Sequence, residues 1–254
     1  MATTSFILHS VLVTGSSSGI GLGLVKQFLT LPIPPRWVFA TSREMDGPKC
    51  KEIKVLLSQY QNLVLLQLDV TDLKSIRAAV EEVRKHVGER GLTLLVNGAG
   101  IMFFSSLQTE NAKDMVAEYT VNTVGPLQVS QVSAFLPLLK MAAKRSLQEG
   151  LSCSKAAIVN LSSNGGSIEL MPKWDKTQNV GYRCSKAALN MLTKCQSMEY
   201  PNYGILCVSL GAVPRGTNHG PGNCIVQEII NVLSTLSEVD NGTFIDWEGR
   251  RLPW

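Results

Sequence analysis

Val11-Leu12-Val13-Thr14-Gly15-Ser16-Ser17-Ser18-Gly19-Ile20-Gly21 joins an apolar run, a glycine-rich turn and the start of a helix. Helical spacing continues from Gly19 to Leu31 and stops at Pro32, Pro34 and Pro35. Glycine lets backbone N–H groups approach a pyrophosphate, and a helix N-terminus favours an anion. A glycine turn alone is weak evidence, because many are ordinary tight turns. The strand–turn–helix setting favours dinucleotide binding, although Gly-x-x-x-Gly-x-Gly differs from the commoner Gly-x-Gly-x-x-Gly.

Outward from that stretch, short apolar runs alternate with helical patterns. Trp37 to Ala40, Leu63 to Val70, Leu92 to Val96, Ala156 to Leu161, Ile205 to Leu210 and Thr243 to Trp247 read as strands. Thr71-Asp72 caps a helix whose Ile76, Ala79, Val80 and Val83 share one face. One long helical region runs from Asn111 to Lys144, kinked or divided by Pro126 and Pro137. Further helices are expected over Val180 to Tyr200 and Asn223 to Leu236. This alternation predicts an α/β fold with parallel βαβ units, helices on both faces of one doubly wound sheet, and a single domain over residues 1–254. Two loops interrupt it. Ser146 to Lys155 reads as exposed, and Ser163 to Gly181 as a polar connection at the carboxyl end of a strand, where open α/β sheets bind ligands.

Composition narrows the function. The chain has 254 residues, 44% hydrophobic and 17% charged, as in soluble globular proteins. A dispersed net charge of +4 argues against nucleic acid, which calls for a basic cluster. No run is long and apolar enough to span a bilayer, and no signal peptide is read at the start, so a cytoplasmic location is expected. Six scattered cysteines fit free thiols in a reducing compartment, and three distant histidines give no metal-ligand spacing.

Tyr182-Arg183-Cys184-Ser185-Lys186 places a phenol and an ammonium on one helix face. A phenol ionises near pH ~10, and a neighbouring ammonium lowers that value. The pair suits proton exchange with a carbonyl or alcohol. Alone the spacing most often marks a solvated helix face. Ser163 reads alone as a turn or capping serine, and Asn122 as a helix asparagine near Pro126.

The glycine turn, Asn97-Gly98-Ala99-Gly100, Asn122, Ser163 and Tyr182-x-x-x-Lys186 occur in the order of the short-chain dehydrogenase/reductase family, classical type, which the chain resembles over almost its whole length. Ser162-Ser163, Gly166-Ser167-Ile168 and the ending Gly249-Arg250-Arg251-Leu252-Pro253-Trp254 resemble the C-factor-like and sniffer-type carbonyl reductases. The resemblance implies a Rossmann-type sheet and an oxidoreductase that reduces an aldehyde, ketone or quinone with a nicotinamide cofactor. Tyr182 would donate the proton, and Lys186 would lower its pKa and bond the nicotinamide ribose. Ser163, rather than Ser162, would bond the substrate oxygen, and Asn122 would support a proton-relay water.

Cofactor contacts would come from Gly15, Ser17, Ser18, Gly19, Ile20, Gly21, Asn97, Ala99, Gly100, Tyr182, Lys186 and Val213, with Asp69 and Val70 at the adenine. Asp69 could equally cap the next helix. Where an acid would hold an unphosphorylated ribose, the chain has Thr41-Ser42-Arg43. Arg43 can bind a 2′-phosphate, with Ser42 adding a hydrogen bond, so NADP (NADPH) is expected rather than NAD. The resemblance also implies a homodimer. Three departures stand out: Gly98 replaces a bracing asparagine, Leu210 a proline, and the threonine after Val213 is displaced to Thr217. They leave open a non-catalytic NADP-binding signalling or interaction protein.

Overall fold

The computed structural model describes residues 6–212 and 223–254. Seven strands form one parallel sheet: β1 (Ser10–Val13), β2 (Trp37–Ser42), β3 (Leu63–Gln67), β4 (Leu94–Asn97), β5 (Ala157–Ser163), β6 (Leu206–Ala212) and β7 (Phe244–Asp246). Their order across the sheet is β3-β2-β1-β4-β5-β6-β7. The order reverses between β1 and β4, and such a switch point opens a crevice at the strands' carboxyl ends.

Strand periodicity sends alternate residues to opposite faces. Val11, Val13, Val159 and Val208 pack under α1 (Gly19–Leu29), α2 (Lys51–Gln59) and α8 (Asn223–Thr235). Leu12, Phe39, Leu95 and Ile158 pack against α3 (Leu73–Val87), α5 (Gly125–Val129) and α6 (Leu136–Arg145). Asp72 caps α3 by accepting from the Lys74 N–H at 2.8 Å, as its sequence predicts.

Several boundaries differ from the sequence expectation. β3 ends at Gln67; the Leu68 N–H still donates to the Ser42 carbonyl at 2.9 Å, and Asp69 and Val70 lie outside the ladder. The helix α2 was not expected from the sequence. Ile53 is its one buried residue, so its apolar pattern carries little signal. The region from Asn111 to Lys144 is not one kinked helix. It comprises α4 (Ala112–Tyr119), a π-turn (Thr120–Val124), α5 and, after a break, α6. Pro137 lies in the first turn of α6, where proline's missing N–H removes no helical bond, whereas Pro126 follows the π-turn inside a continuous helical run. The segment Ser146 to Lys155 is exposed only in its first half, since Leu151 and Cys153 join the core.

One polar seam crosses this apolar core. Asn160, fully buried on β5, accepts from the Asn97 side-chain amide at 2.8 Å. Its own amide donates to Thr193 Oγ1 at 2.8 Å and Gln196 Oε1 at 2.9 Å on α7 (Val180–Glu199). The seam ties β4, β5 and α7 in a single register. Asn160→Ala leaves three buried polar groups short of partners. It is expected to lower unfolding stability by about 2–4 kcal/mol in urea titration, and a loss below about 1 kcal/mol would contradict this.

Candidate active site

The turns after β1 and β4 press together at the switch point. Gly15 has φ +67°, and a Cβ there would lie 2.5 Å from the Ala99 Cα. A Cβ on Gly21 would meet the Gly15 carbonyl at 2.6 Å. Both positions therefore require glycine. Thr14 Oγ1 accepts from the Gly98 and Ala99 N–H groups at 3.0 and 3.1 Å, and Thr41 Oγ1 accepts from Gly15 N–H at 3.2 Å. Ser17 and Ser18 lead into α1, whose first residues are Gly19 and Ile20. Ser18 makes no side-chain cap and the first turn holds no acid, so the positive helix end is free for an anion. The brace expected to be missing at Gly98 is present in another form. Thr14 joins β1 to β4, and Asn97 joins β4 to β5.

At the end of β2, Ser42 is buried and its hydroxyl donates to the Glu44 carbonyl at 2.8 Å. That bond competes with the ligand contact expected of it. Arg43 is exposed and in no ion pair among the described residues, and its carbonyl accepts from Gln67 at 3.1 Å. Asp69 accepts from Thr71 N–H at 2.8 Å, so it holds the turn while Asp72 caps the helix. Val70 is buried against Gly125. Val213 lies outside the described residues, as does the segment to Thr217.

Tyr182 lies in the first turn of α7 and Lys186 one turn on. Ser163 ends β5, and its hydroxyl caps the next turn by accepting from the Gly165 N–H at 3.1 Å. Ser162 instead faces the Lys186 carbonyl at 3.4 Å. Asn122 sits in the π-turn, a feature that often re-aims a functional side chain. Its Oδ1 accepts from Ile101 N–H at 2.8 Å, and its amide donates to the Ile101 carbonyl and Ser185 Oγ, each at 2.9 Å. Gly100 lies beside the Asn122 Oδ1. A Cβ on Gly100 would lie 3.1 Å from Asn122 Oδ1 and 3.8 Å from Lys186 Nζ, and the adjacent Ala99 presses on Gly15, so this cluster gathers beside the turn that opens α1.

The electrostatics differ from the expectation for Tyr182. Its pKa is raised, chiefly because burial disfavours the phenolate; the Ser163 hydroxyl lowers it in part and the Glu118 charge raises it. Lys186 does not depress it here. The ammonium donates to the Leu161 carbonyl at 2.7 Å and lies 5.7 Å from the phenol ring centre. Burial lowers the Lys186 pKa to about 8.

The sequence pattern of the short chain dehydrogenase family matches residues 9–219. The chain belongs to that family. A carbonyl reductase from chicken fatty liver, solved with NADPH bound, is 47% identical at TM-score 0.90, over 98% of this chain and 100% of that one. The carbonyl reductase Sniffer of D. melanogaster is 32% identical at TM-score 0.89, over 97% and 100%. Mouse estradiol 17-beta-dehydrogenase 2 is 32% identical over 203 residues, which is 79% of this chain and 46% of that protein. The chain thus spans less than half of that relative's length. It is an oxidoreductase of the short chain dehydrogenase family with carbonyl reductases among its similar structures.

In this short chain dehydrogenase the connection Ser163 to Gly181 is less polar than its sequence suggests. Ile168, Leu170, Met171 and Trp174 are exposed, facing solvent as Phe104 does after β4. Arg183, unremarked in the sequence reading, holds the connection in place. It donates to the carbonyls of Gln178 at 2.6 Å, Pro172 at 2.7 Å and Thr177 at 2.9 Å. No helix among the described residues is long and apolar enough to cross a membrane.

Lys186 makes a pH test of this site possible. Its folded pKa of about 8 lies below the ordinary 10.5. Between these values the unfolded chain holds a proton that the folded chain has released, so stability rises with pH. Below about 8 the burial penalty is present in full. Buried Cys153 and Cys207, whose thiols are pushed up, act in the opposite sense above pH 9, so the readout is the difference from Lys186→Met. By denaturant titration without cofactor, wild-type stability is expected to gain on that variant from pH 8 to 10. Parallel profiles would contradict the assignment.

Proposed function

We propose that this chain is an NADP-dependent carbonyl reductase, acting on an aldehyde, ketone or quinone, with Tyr182 as proton donor. The observation that carries this reading is the meeting of Asn122, Ser163, Tyr182 and Lys186 beside an uncapped helix start at the β1/β4 switch point. When bound, NADPH supplies the hydride. Ser163 would hold the carbonyl oxygen toward Tyr182, which would pass its proton to that oxygen. A raised Tyr182 pKa keeps the phenol protonated at neutral pH, as a donor in reduction must be. Lys186 would bond the ribose and, when charged, favour the phenolate left behind. Asn122 would fix the loop after β4 against α7, and its carbonyl region would steady the water through which a proton returns.

The fit to the cofactor rests on the cradle. Gly15, Ser17, Ser18, Gly19, Ile20 and Gly21 would hold the pyrophosphate, with Asn97, Ala99 and Gly100 beside it. Arg43 supports NADP over NAD, because it is exposed and unpaired among the described residues where an acid would serve NAD. The NADPH in the similar chicken reductase supports the same choice. Asp69 and Val70 would flank the adenine. Residues 1–254 would act as one cytoplasmic domain. A homodimer is supported by Cys184, Met191 and Met198, exposed on one stripe of α7 beside Val116 and Tyr119 of α4. Sedimentation of twice the chain mass is expected, and a monomer at micromolar concentration would contradict it.

Two substitutions test the chemistry. Tyr182→Phe is expected to reduce carbonyl-dependent NADPH oxidation by roughly 10²-fold or more, with NADPH binding retained. Arg43→Glu is expected to weaken NADPH binding about 10- to 100-fold and NADH binding far less. Wild-type preference for NADH would overturn the cofactor assignment.

A further inference from the structure

Glu118 lies one helical turn before Asn122 on α4 and is only 1% exposed. Carboxyl groups are almost never so buried unless paired. Its Oε1 accepts from the Phe103 N–H at 2.6 Å. Its Oε2 is buried and has no hydrogen-bond partner among the described residues. That oxygen lies against Gly181, immediately before Tyr182, and a Cβ on residue 181 would run into it. A second carboxyl meets the same place. Glu110 Oε2 accepts from Gly181 N–H at 2.7 Å and from Ser105 Oγ at 2.5 Å, and Glu110 Oε1 accepts from Asn111 N–H at 3.1 Å. Glu110 is therefore the capping carboxylate of α7. Glu118 has a different task, because one of its oxygens is left free.

We propose that Glu118 is a positioning residue for Tyr182: it fixes the loop after β4 against the first turn of α7 and sets a carboxyl whose field acts on the phenol. The proposal rests on the reading of Tyr182 as proton donor. Glu118 and Asn122 work as a pair, holding Phe103 and Ile101 respectively, so two successive helical turns grip one loop. The two neighbouring carboxyls are driven apart in acidity. Three hydrogen bonds hold Glu110 below its usual range, whereas burial pushes Glu118 up, helped by the charges of Glu110 and Asp114. The free Glu118 oxygen is the natural place for a retained proton. The charged groups facing Glu118 are Glu110 and Asp114, and those facing Tyr182 are Glu118 and Lys186. Once ionised at alkaline pH, Glu118 opposes a second negative charge on Tyr182.

Glu118→Gln keeps the shape and the acceptor for Phe103 but removes the charge. Ultraviolet phenolate titration of the cofactor-free protein, with Tyr182→Phe subtracted, isolates this one tyrosine. In Glu118→Gln its midpoint is expected to fall by on the order of half a pH unit. The alkaline limb of kcat/KM for carbonyl reduction should fall by the same amount. A phenolate midpoint that superposes on the wild type would overturn the proposal. A wild-type measurement guards against misfolding of the variant: infrared titration should show a protonated carboxyl that persists above the usual Glu range. Absence of that band also overturns the proposal. A shifted midpoint in a protein that turns over no carbonyl would leave the Glu118 assignment standing and remove the reductase reading instead.

Discussion

The attachment of α7 to β5 through Asn160 is the constraint on which the site depends. Apolar contacts hold layers together but let them slide by small amounts, because the attraction is non-directional. Hydrogen bonds from one buried amide to Asn97, Thr193 and Gln196 remove that freedom. A second tie, Ser209 Oγ to Asn190 Oδ1 at 2.6 Å, anchors the same helix to β6. With α7 fixed, its first turn brings Tyr182 to Ser163, and its second sets Lys186 under the Leu161 carbonyl. The network is not fully satisfied: Asn97 Oδ1 and Gln196 Nε2 are buried without a hydrogen-bond partner among the described residues, and each orphaned group costs about 1–3 kcal/mol.

Around that fixed helix the charges are arranged by desolvation more than by pairing. The Lys186 ammonium is discharged more easily than usual, and the Tyr182 phenol is held more firmly protonated. Both shifts favour neutral groups in the free protein. A carbonyl oxygen that gains negative character during reduction would meet a proton donor rather than a phenolate. Glu110 and Glu118 extend the same logic to the opposite end of the first turn, one held ionised by N–H groups and the other pushed toward neutrality.

The sequence carried the fold well wherever period and punctuation agree. The glycine turn, the buried strands and the α3 cap at Asp72 are local signals, and each was realised. The missed α2 has one buried side chain, so its helicity comes from context rather than from an apolar face. The region after Asn111 runs on through a π-turn and breaks only between α5 and α6, and no periodicity encodes either feature. Within the site, the ordered motif residues were legible because spacing and order recur. Asn160 carried a weaker sign, a lone amide inside the apolar run Ala157 to Leu161, which only makes sense once Asn97 and Gln196 are seen to face it. Glu118 and Arg183 gave no sign at all. On a helix each looks like an ordinary solvated charge; only the packing of α4 against α7 buries Glu118, and only the loop before α7 half-covers Arg183.

The central claim is hydride transfer to a carbonyl at Tyr182. NADPH carrying deuterium at the transferring position of the nicotinamide tests it most directly, with the alcohol product analysed by mass spectrometry. Deuterium is expected on the carbinol carbon, and Tyr182→Phe is expected to form the labelled alcohol roughly 10²-fold or more slowly. Deuterium absent from the alcohol of the wild-type reaction would contradict it, as would formation of labelled alcohol at the wild-type rate by the phenylalanine variant.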